Sequence, residues 1–106
     1  MHHVLFVCAQ NRLRSPTAQE VFVAWPELET ASAGLDADAV VPLTAAHINW
    51  ANIVFVMEPA QKVKVLKLFK SQIGQKPVIC LNIPDEYTRM QPELVALLKT
   101  KVPPFL

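Results

Sequence analysis

Apolar and polar positions alternate along this chain in blocks of two periods, one suited to strands and one to helices. His3-Val4-Leu5-Phe6-Val7-Cys8 is apolar on both faces of a pleat, the pattern of a central strand buried on both sides in a parallel sheet. Ile53-Val54-Phe55-Val56-Met57 repeats that pattern, and Pro77-Val78-Ile79-Cys80-Leu81 reads as a fourth strand. Leu28 to Ala33 forms the second, more polar and so expected near an edge, with Gly34 ending it. Between these runs the period changes. Ala18, Val21, Phe22 and Trp25 recur at i, i+3, i+4 and i+7, predicting a helix that Pro26 stops and that carries Trp25 into the core. Pro42 and Thr44 announce a short helix over Ala45 to Trp50. Pro59 opens a helix running to Gly74, with Val63, Leu66 and Phe69 inward and Lys62, Lys64, Lys67 and Lys70 mainly outward. The last amphipathic helix spans Pro92 to Lys101, carries Leu94, Val95, Leu97 and Leu98, and ends before Pro103-Pro104.

Strands alternating with helices at this spacing predict an α/β fold, a three-layer α/β/α domain with a four-stranded parallel sheet and right-handed crossovers. One domain over residues 1–106 accounts for the whole chain. Ligands in such sheets bind beyond the carboxyl ends of the strands, so Cys8, Gly34, Glu58 and the loop after Leu81 should gather on one rim. A formal charge of +1 offers no long-range attraction to nucleic acid or to an anionic membrane. No apolar run approaches the roughly 20 residues of a membrane helix, and no signal peptide precedes the first strand. Cys8 and Cys80 form neither a metal-spaced pair nor a disulfide framework, which points to a reducing, cytoplasmic setting. His2 and His3 flank a strand and are too few to form a metal-binding tract.

The candidate chemistry lies in Cys8-Ala9-Gln10-Asn11-Arg12-Leu13-Arg14-Ser15, followed by Pro16-Thr17. Ser15 suits a helix N-cap and Pro16 the first helical position, so the loop should end where a helix presents unpaired amides to an oxyanion. A cysteine and an arginine five residues apart across such a loop suit attack by sulfur on phosphorus. Amide dipoles, the helix N-terminus and Arg14 all favour negative charge on the sulfur. The same donors serve the phosphate oxygens as charge develops in the transition state. A carboxylic acid on another loop of the rim would protonate the leaving oxygen and later activate the water that releases the phosphocysteine.

Val4-Leu5-Phe6-Val7-Cys8 to Asn11, then Arg14-Ser15-Pro16 with Ala18, Val21 and Phe22, resembles the signature of the low-molecular-weight protein tyrosine phosphatases, C-x-G-N-x-x-R-S-P before an apolar helix. Ser32-Ala33-Gly34 is similar to the family's second-strand end, and Ala51 to Glu58 to its third strand. The likeness is nearest to the compact bacterial members. It implies a phosphatase acting on phosphate monoesters, phosphotyrosine foremost, without metal or cofactor. Cys8 would be the nucleophile and Arg14 the phosphate clamp, with Ala9, Gln10, Asn11, Arg12 and Leu13 completing the phosphate loop. Asn11 and Ser15 would hold that loop and stabilise the thiolate, and Ser32 would join them by hydrogen bonding. Substrates would be a phosphorylated protein or a small aryl phosphate, and inorganic phosphate would bind as well.

The chain departs from the family pattern at three places. Gln10 replaces a glycine, which removes a residue tolerant of any φ and adds a side chain near the phosphate. Leu13 replaces a second cysteine found in many members, removing the partner for a protective disulfide. The family's acid is an aspartate followed by proline on a late loop, where this chain has Gln91-Pro92, and glutamine is no carboxylic acid. The substitute is Asp85 in Ile83-Pro84-Asp85-Glu86-Tyr87, with Glu86 second; the same two residues also suit an ordinary solvated turn. Tyr87 either walls the pocket or stands exposed, and Glu58 is expected to cap the following helix. Two rivals to a phosphatase are a phosphate or phosphoprotein-binding module without turnover, and an arsenate reductase, for which only Cys80 remains as a second thiol.

Overall fold

The structure, a computed structural model, describes residues 2–106. Four strands, β1 (His2–Cys8), β2 (Leu28–Gly34), β3 (Ile53–Val56) and β4 (Val78–Cys80), form one parallel sheet in the order β2-β1-β3-β4. Five helices join them: α1 (Arg14–Phe22), α2 (Ala45–Trp50), α3 (Pro59–Leu68), α4 (Lys70–Ile73) and α5 (Pro92–Lys101), with a 3₁₀ turn at Pro103–Phe105. This is the expected three-layer arrangement, and the polar strand β2 takes an edge. None of the helices among the described residues is long and apolar enough to cross a membrane.

The strand period of two assigns each residue of β1 to one of two cores. Val4, Phe6 and Cys8 face a layer containing Ala18 and Phe22 of α1 and Leu94 and Leu98 of α5. Leu5 and Val7 face the other, with Ile48 of α2, Val65 of α3 and Ile73 of α4. Phe6 sits between Phe22 and Phe55, ring centroids 5.8 and 5.5 Å away. Both faces of β1 are therefore closed to water, and the strand delivers Cys8 to the rim on a rigid base.

Three sequence expectations need correction. The helix at the loop begins at Arg14, with Leu13 in the cap position, so Ser15 is inside the first turn and caps nothing. Its hydroxyl is taken by Cys8 and Asn11 instead, and Pro16 is the third residue of the helix and not the first, a position where its missing N–H still costs no helical bond. The helix also stops at Phe22, before Trp25, which lies edge-on to Phe22 at 5.1 Å and is 38% exposed. The stretch after Pro59 divides at Phe69 into α3 and α4, and its inward residues are Gln61, Val65, Phe69 and Ile73, spaced by four. Val63 and Leu66 face solvent, Val63 being 66% exposed. A glutamine can hold a buried position here because its Oε1 accepts hydrogen bonds from the amides of Met57 and Glu58, leaving apolar residues outside. At the start of α5, Gln91 Nε2 donates to Glu93 at 3.0 Å, and a backbone hydrogen bond together with Gln91 holds the exposed Glu93 carboxyl below its usual range.

Candidate active site

The segment joining β1 to α1 is held from outside by the loop that follows β2. The amides of Leu35 and Asp36 donate to the carbonyls of Cys8 and Ala9 at 3.0 and 2.8 Å, and that of Val40 to Gln10 at 3.0 Å. With three successive carbonyls turned outward, the amides of the loop are left toward its concave side, where an anion would sit. Asn11 supplies the sharp turn with φ of 55°, a conformation that asparagine tolerates. Gln10, at the position of the family's glycine, has no positive φ, so the loop does not require glycine there. Gly34 is the glycine that the loop does require. A Cβ on it would lie 2.7 Å from the Ala9 carbonyl oxygen, 2.9 Å from the Asn11 nitrogen and 2.6 Å from the Ala39 Cβ.

Inside this loop the Cys8 sulfur is buried and surrounded by donors. The Asn11 amide donates to Cys8 Sγ at 3.2 Å, and Ser15 Oγ lies 2.9 Å from it. Asn11 Nδ2 donates to the same hydroxyl at 2.9 Å. A thiolate can only accept, so in that state the Ser15 proton points to sulfur and the path runs Asn11 Nδ2 to Ser15 Oγ to Cys8 Sγ. Asn11 and Ser15 thus bond both the sulfur and each other. Ser32 does not: its hydroxyl donates to Gln19 Oε1 at 2.6 Å on α1. Its expected hydrogen bond to the phosphate loop is corrected accordingly.

Arg14 is 3% exposed at the first residue of α1, where a positive charge opposes the helix dipole. Its Nη1 donates to Glu58 Oε1 at 3.0 Å and to the Ile83 carbonyl at 2.8 Å, while Nε lies 3.8 Å from Asp85 Oδ1. Two neighbouring strand ends therefore fix one edge of the guanidinium. Nη2 makes no hydrogen bond among the described residues, so that nitrogen keeps its N–H groups for an oxyanion beside the Asp85 carboxyl. Glu58 holds the N-cap position of α3, as expected, but its bond to Arg14 is a role that sequence reasoning missed. A buried arginine needs a carboxylate, and Glu58, two residues beyond the Val56 that pairs with Val7, was the acid in register to provide it.

Cys8, Ala9, Gln10, Arg12, Leu13, Arg14 and Asp85 line a cavity of about 150 Å³. Asn11, the remaining loop residue, is buried with its side chain on Ser15. Asp85 is 65% exposed by its side chain and lines the cavity beside Arg14. Glu86 is exposed outside that lining, and Tyr87 is half-buried against the core of α1 and α5, so neither alternative for Tyr87 holds. Gln91 closes a turn, its Oε1 accepting from the Thr88 amide at 2.9 Å, and it takes no part in the cavity. The aspartate that shares the cavity with the cysteine is Asp85, followed by Glu86 where the family has proline. Cys80 packs with the core on the opposite face of the sheet from Cys8, which leaves no resolving thiol beside the cavity. Among the described residues no cluster of three or more His, Cys, Asp or Glu could hold a metal.

No protein-family model matches the chain, and no curated protein matches it in sequence. Solved structures do match. A low-molecular-weight protein tyrosine phosphatase from Streptococcus pyogenes superposes with a TM-score of 0.75 at 16% identity, over 93% of this chain and 87% of that one. The chain has the fold of the low-molecular-weight protein tyrosine phosphatases. An arginine phosphatase from Geobacillus stearothermophilus shares this phosphatase fold at a TM-score of 0.73 and 22% identity, over 93% and 89% of the two chains. So does the tyrosine phosphatase Wzb from Escherichia coli K30, solved with phosphate, at 0.73 and 20% identity over 92% and 90%.

Proposed function

We propose that the chain is a phosphatase that hydrolyses phosphate monoesters, phosphotyrosine among them, through a phosphocysteine on Cys8. The observation that carries this reading is the convergence, around one small cavity, of a sulfur with hydrogen-bond donors, inward-facing amides, a buried guanidinium and one carboxyl. The likeness to tyrosine and arginine phosphatases supports the same reaction class. A phosphoryl group bound to the loop would meet the Cys8 thiolate behind phosphorus, with its oxygens on the amides and on Arg14. As the S–P bond forms, the P–O bond to the leaving group breaks, and Asp85 gives that oxygen its proton. A water then loses a proton to Asp85 and attacks phosphorus, the S–P bond breaks, and phosphate and the thiolate are regenerated. Asn11 and Ser15 stabilise the thiolate at both ends of the cycle, and Glu58 and the Ile83 carbonyl keep Arg14 facing the phosphoryl group.

The test uses para-nitrophenyl phosphate, with and without vanadate. Cys8→Ser abolishes turnover, vanadate inhibits the unmodified protein, and Asp85→Asn lowers kcat by about 10²-fold or more while phosphate binding persists. A turnover that survives Cys8→Ser overturns the reading. Phosphate binding with no Cys8-dependent turnover of any phosphate ester makes the protein a binding module.

A further inference from the structure

Beside the catalytic cavity lies a second, wider depression of about 390 Å³, and Arg12 lines both. Its other walls include Gln19, Ser32, Val40, Val41 and Arg89, and no carboxylate is among its lining residues. The chemistry of this lining is one-sided. Arg12 is exposed and makes no ion pair among the described residues. Arg89 reaches Glu20 at 3.4 Å, but both side chains are more than half exposed, so that pair holds it weakly. Gln19 Oε1 is occupied by the Ser32 hydroxyl, which leaves its Nε2, a donor only, without a partner among the described residues. Val40 and Val41 add exposed apolar surface.

Two guanidinium groups and an amide N–H, with aliphatic surface between them, match a carboxylate on a short methylene stem. The chain as a whole carries only one net positive charge, so this is a local feature and not part of a general basic surface. Since Arg12 belongs to the phosphate loop itself, a ligand in the depression is continuous with one in the catalytic cavity. We infer that this groove recognises a glutamate or aspartate lying within about three residues, roughly 10 Å of extended chain, of the phosphorylated residue in a peptide substrate. The inference rests on the phosphatase reading above and names its substrate class, acidic phosphopeptides.

The test measures binding of phosphotyrosine peptides to Cys8→Ser protein, which cannot form the phosphocysteine, by fluorescence anisotropy. The peptides carry Glu, Gln or Lys at the three positions on either side of phosphotyrosine, and each has an unphosphorylated control. The Glu peptides are expected to bind about threefold to tenfold more tightly than the Gln peptides at low salt, in the range of two exposed ion pairs. That ratio should shrink as salt screens the pairs. Adding Arg12→Gln and Arg89→Gln should bring it to about one, and charge reversal of both should favour the Lys peptides. If the Gln variants fail to fold, the salt dependence of the Glu-to-Gln ratio in the Cys8→Ser protein decides the matter alone. Phosphate-dependent binding with equal affinity for Glu and Gln peptides overturns this inference and leaves the phosphatase reading standing. Binding that ignores the phosphate, together with no turnover of para-nitrophenyl phosphate, overturns both.

Discussion

Replacing Gly34 by alanine tests whether the strand β2 shapes the phosphate loop. Gly34 is not in the left-handed region, so alanine meets no backbone penalty there and the whole effect is steric. The added methyl would stand 2.6, 2.7 and 2.9 Å from the Ala39 Cβ, the Ala9 carbonyl oxygen and the Asn11 nitrogen, all well inside the ~3.5 Å of favourable contact. Two of these atoms are backbone of the loop, so relief moves Ala9 and Asn11 away from β2, and with Asn11 goes its amide bond to Cys8. Overpacking of this kind costs about 2–3 kcal/mol. In a chain of 106 residues that lowers Tm by about 10–15 °C. A shift of the loop by a fraction of an ångström should reduce kcat on an aryl phosphate by about 10²-fold. Urea denaturation, phosphate titration and steady-state kinetics on the same preparation separate the two effects. Gly74→Ala is the control, because φ +54° and ψ −117° there strain an alanine backbone while open space surrounds the new methyl, so it costs about 1–3 kcal/mol and leaves phosphate affinity unchanged. If Gly34→Ala lies within about 0.5 kcal/mol of the parent and binds phosphate equally well, the loop is not shaped by this contact.

Glu58→Gln removes the carboxylate beside Arg14 while keeping an acceptor, so the anion-free protein should lose about 1 kcal/mol and phosphate should raise Tm more than it does in the parent. Equal phosphate-induced shifts in the two proteins would show that Glu58 is not the counter-charge of Arg14. Prolonged exposure to hydrogen peroxide should oxidise Cys8 beyond the sulfenic state, with added oxygen visible by intact mass and no recovery in dithiothreitol, since Leu13 and the distant Cys80 offer no disulfide. Full recovery by dithiothreitol, with a mass two hydrogens lighter before it, would refute that.

The sheet was legible in the sequence because β1 and β3 are apolar on both faces, a pattern that few other environments support. The ends of α5 were legible from Pro92 and the basic last turn. The inward face of α3 was not, because a glutamine at position 61 satisfies two backbone amides from a buried site and makes Val63 and Leu66 look like the stripe. At the site, Cys8, Asn11, Arg14 and Ser15 could be read because a strand, a loop and a helix follow one another without a break. Asp85 could be proposed only through the rim rule for parallel sheets, and its place beside Arg14 depends on tertiary structure. The bond of Glu58 to Arg14 and the bonds from the loop after β2 were missed for the same reason: they span 27 to 44 positions in sequence and leave no local pattern.

The outward bonds from Leu35, Asp36 and Val40 to the phosphate loop have a practical consequence. A loop already fastened by its neighbours would not have to order itself to take the anion of the proposed function, so occupancy would add to the stability of the whole sheet by mass action. At about a hundred times its dissociation constant a ligand contributes ~2.7 kcal/mol. The melting temperature of the protein thus serves as its own gauge, and a panel of phosphate, vanadate, aryl phosphates and phosphopeptides can be ranked by it before any turnover is measured.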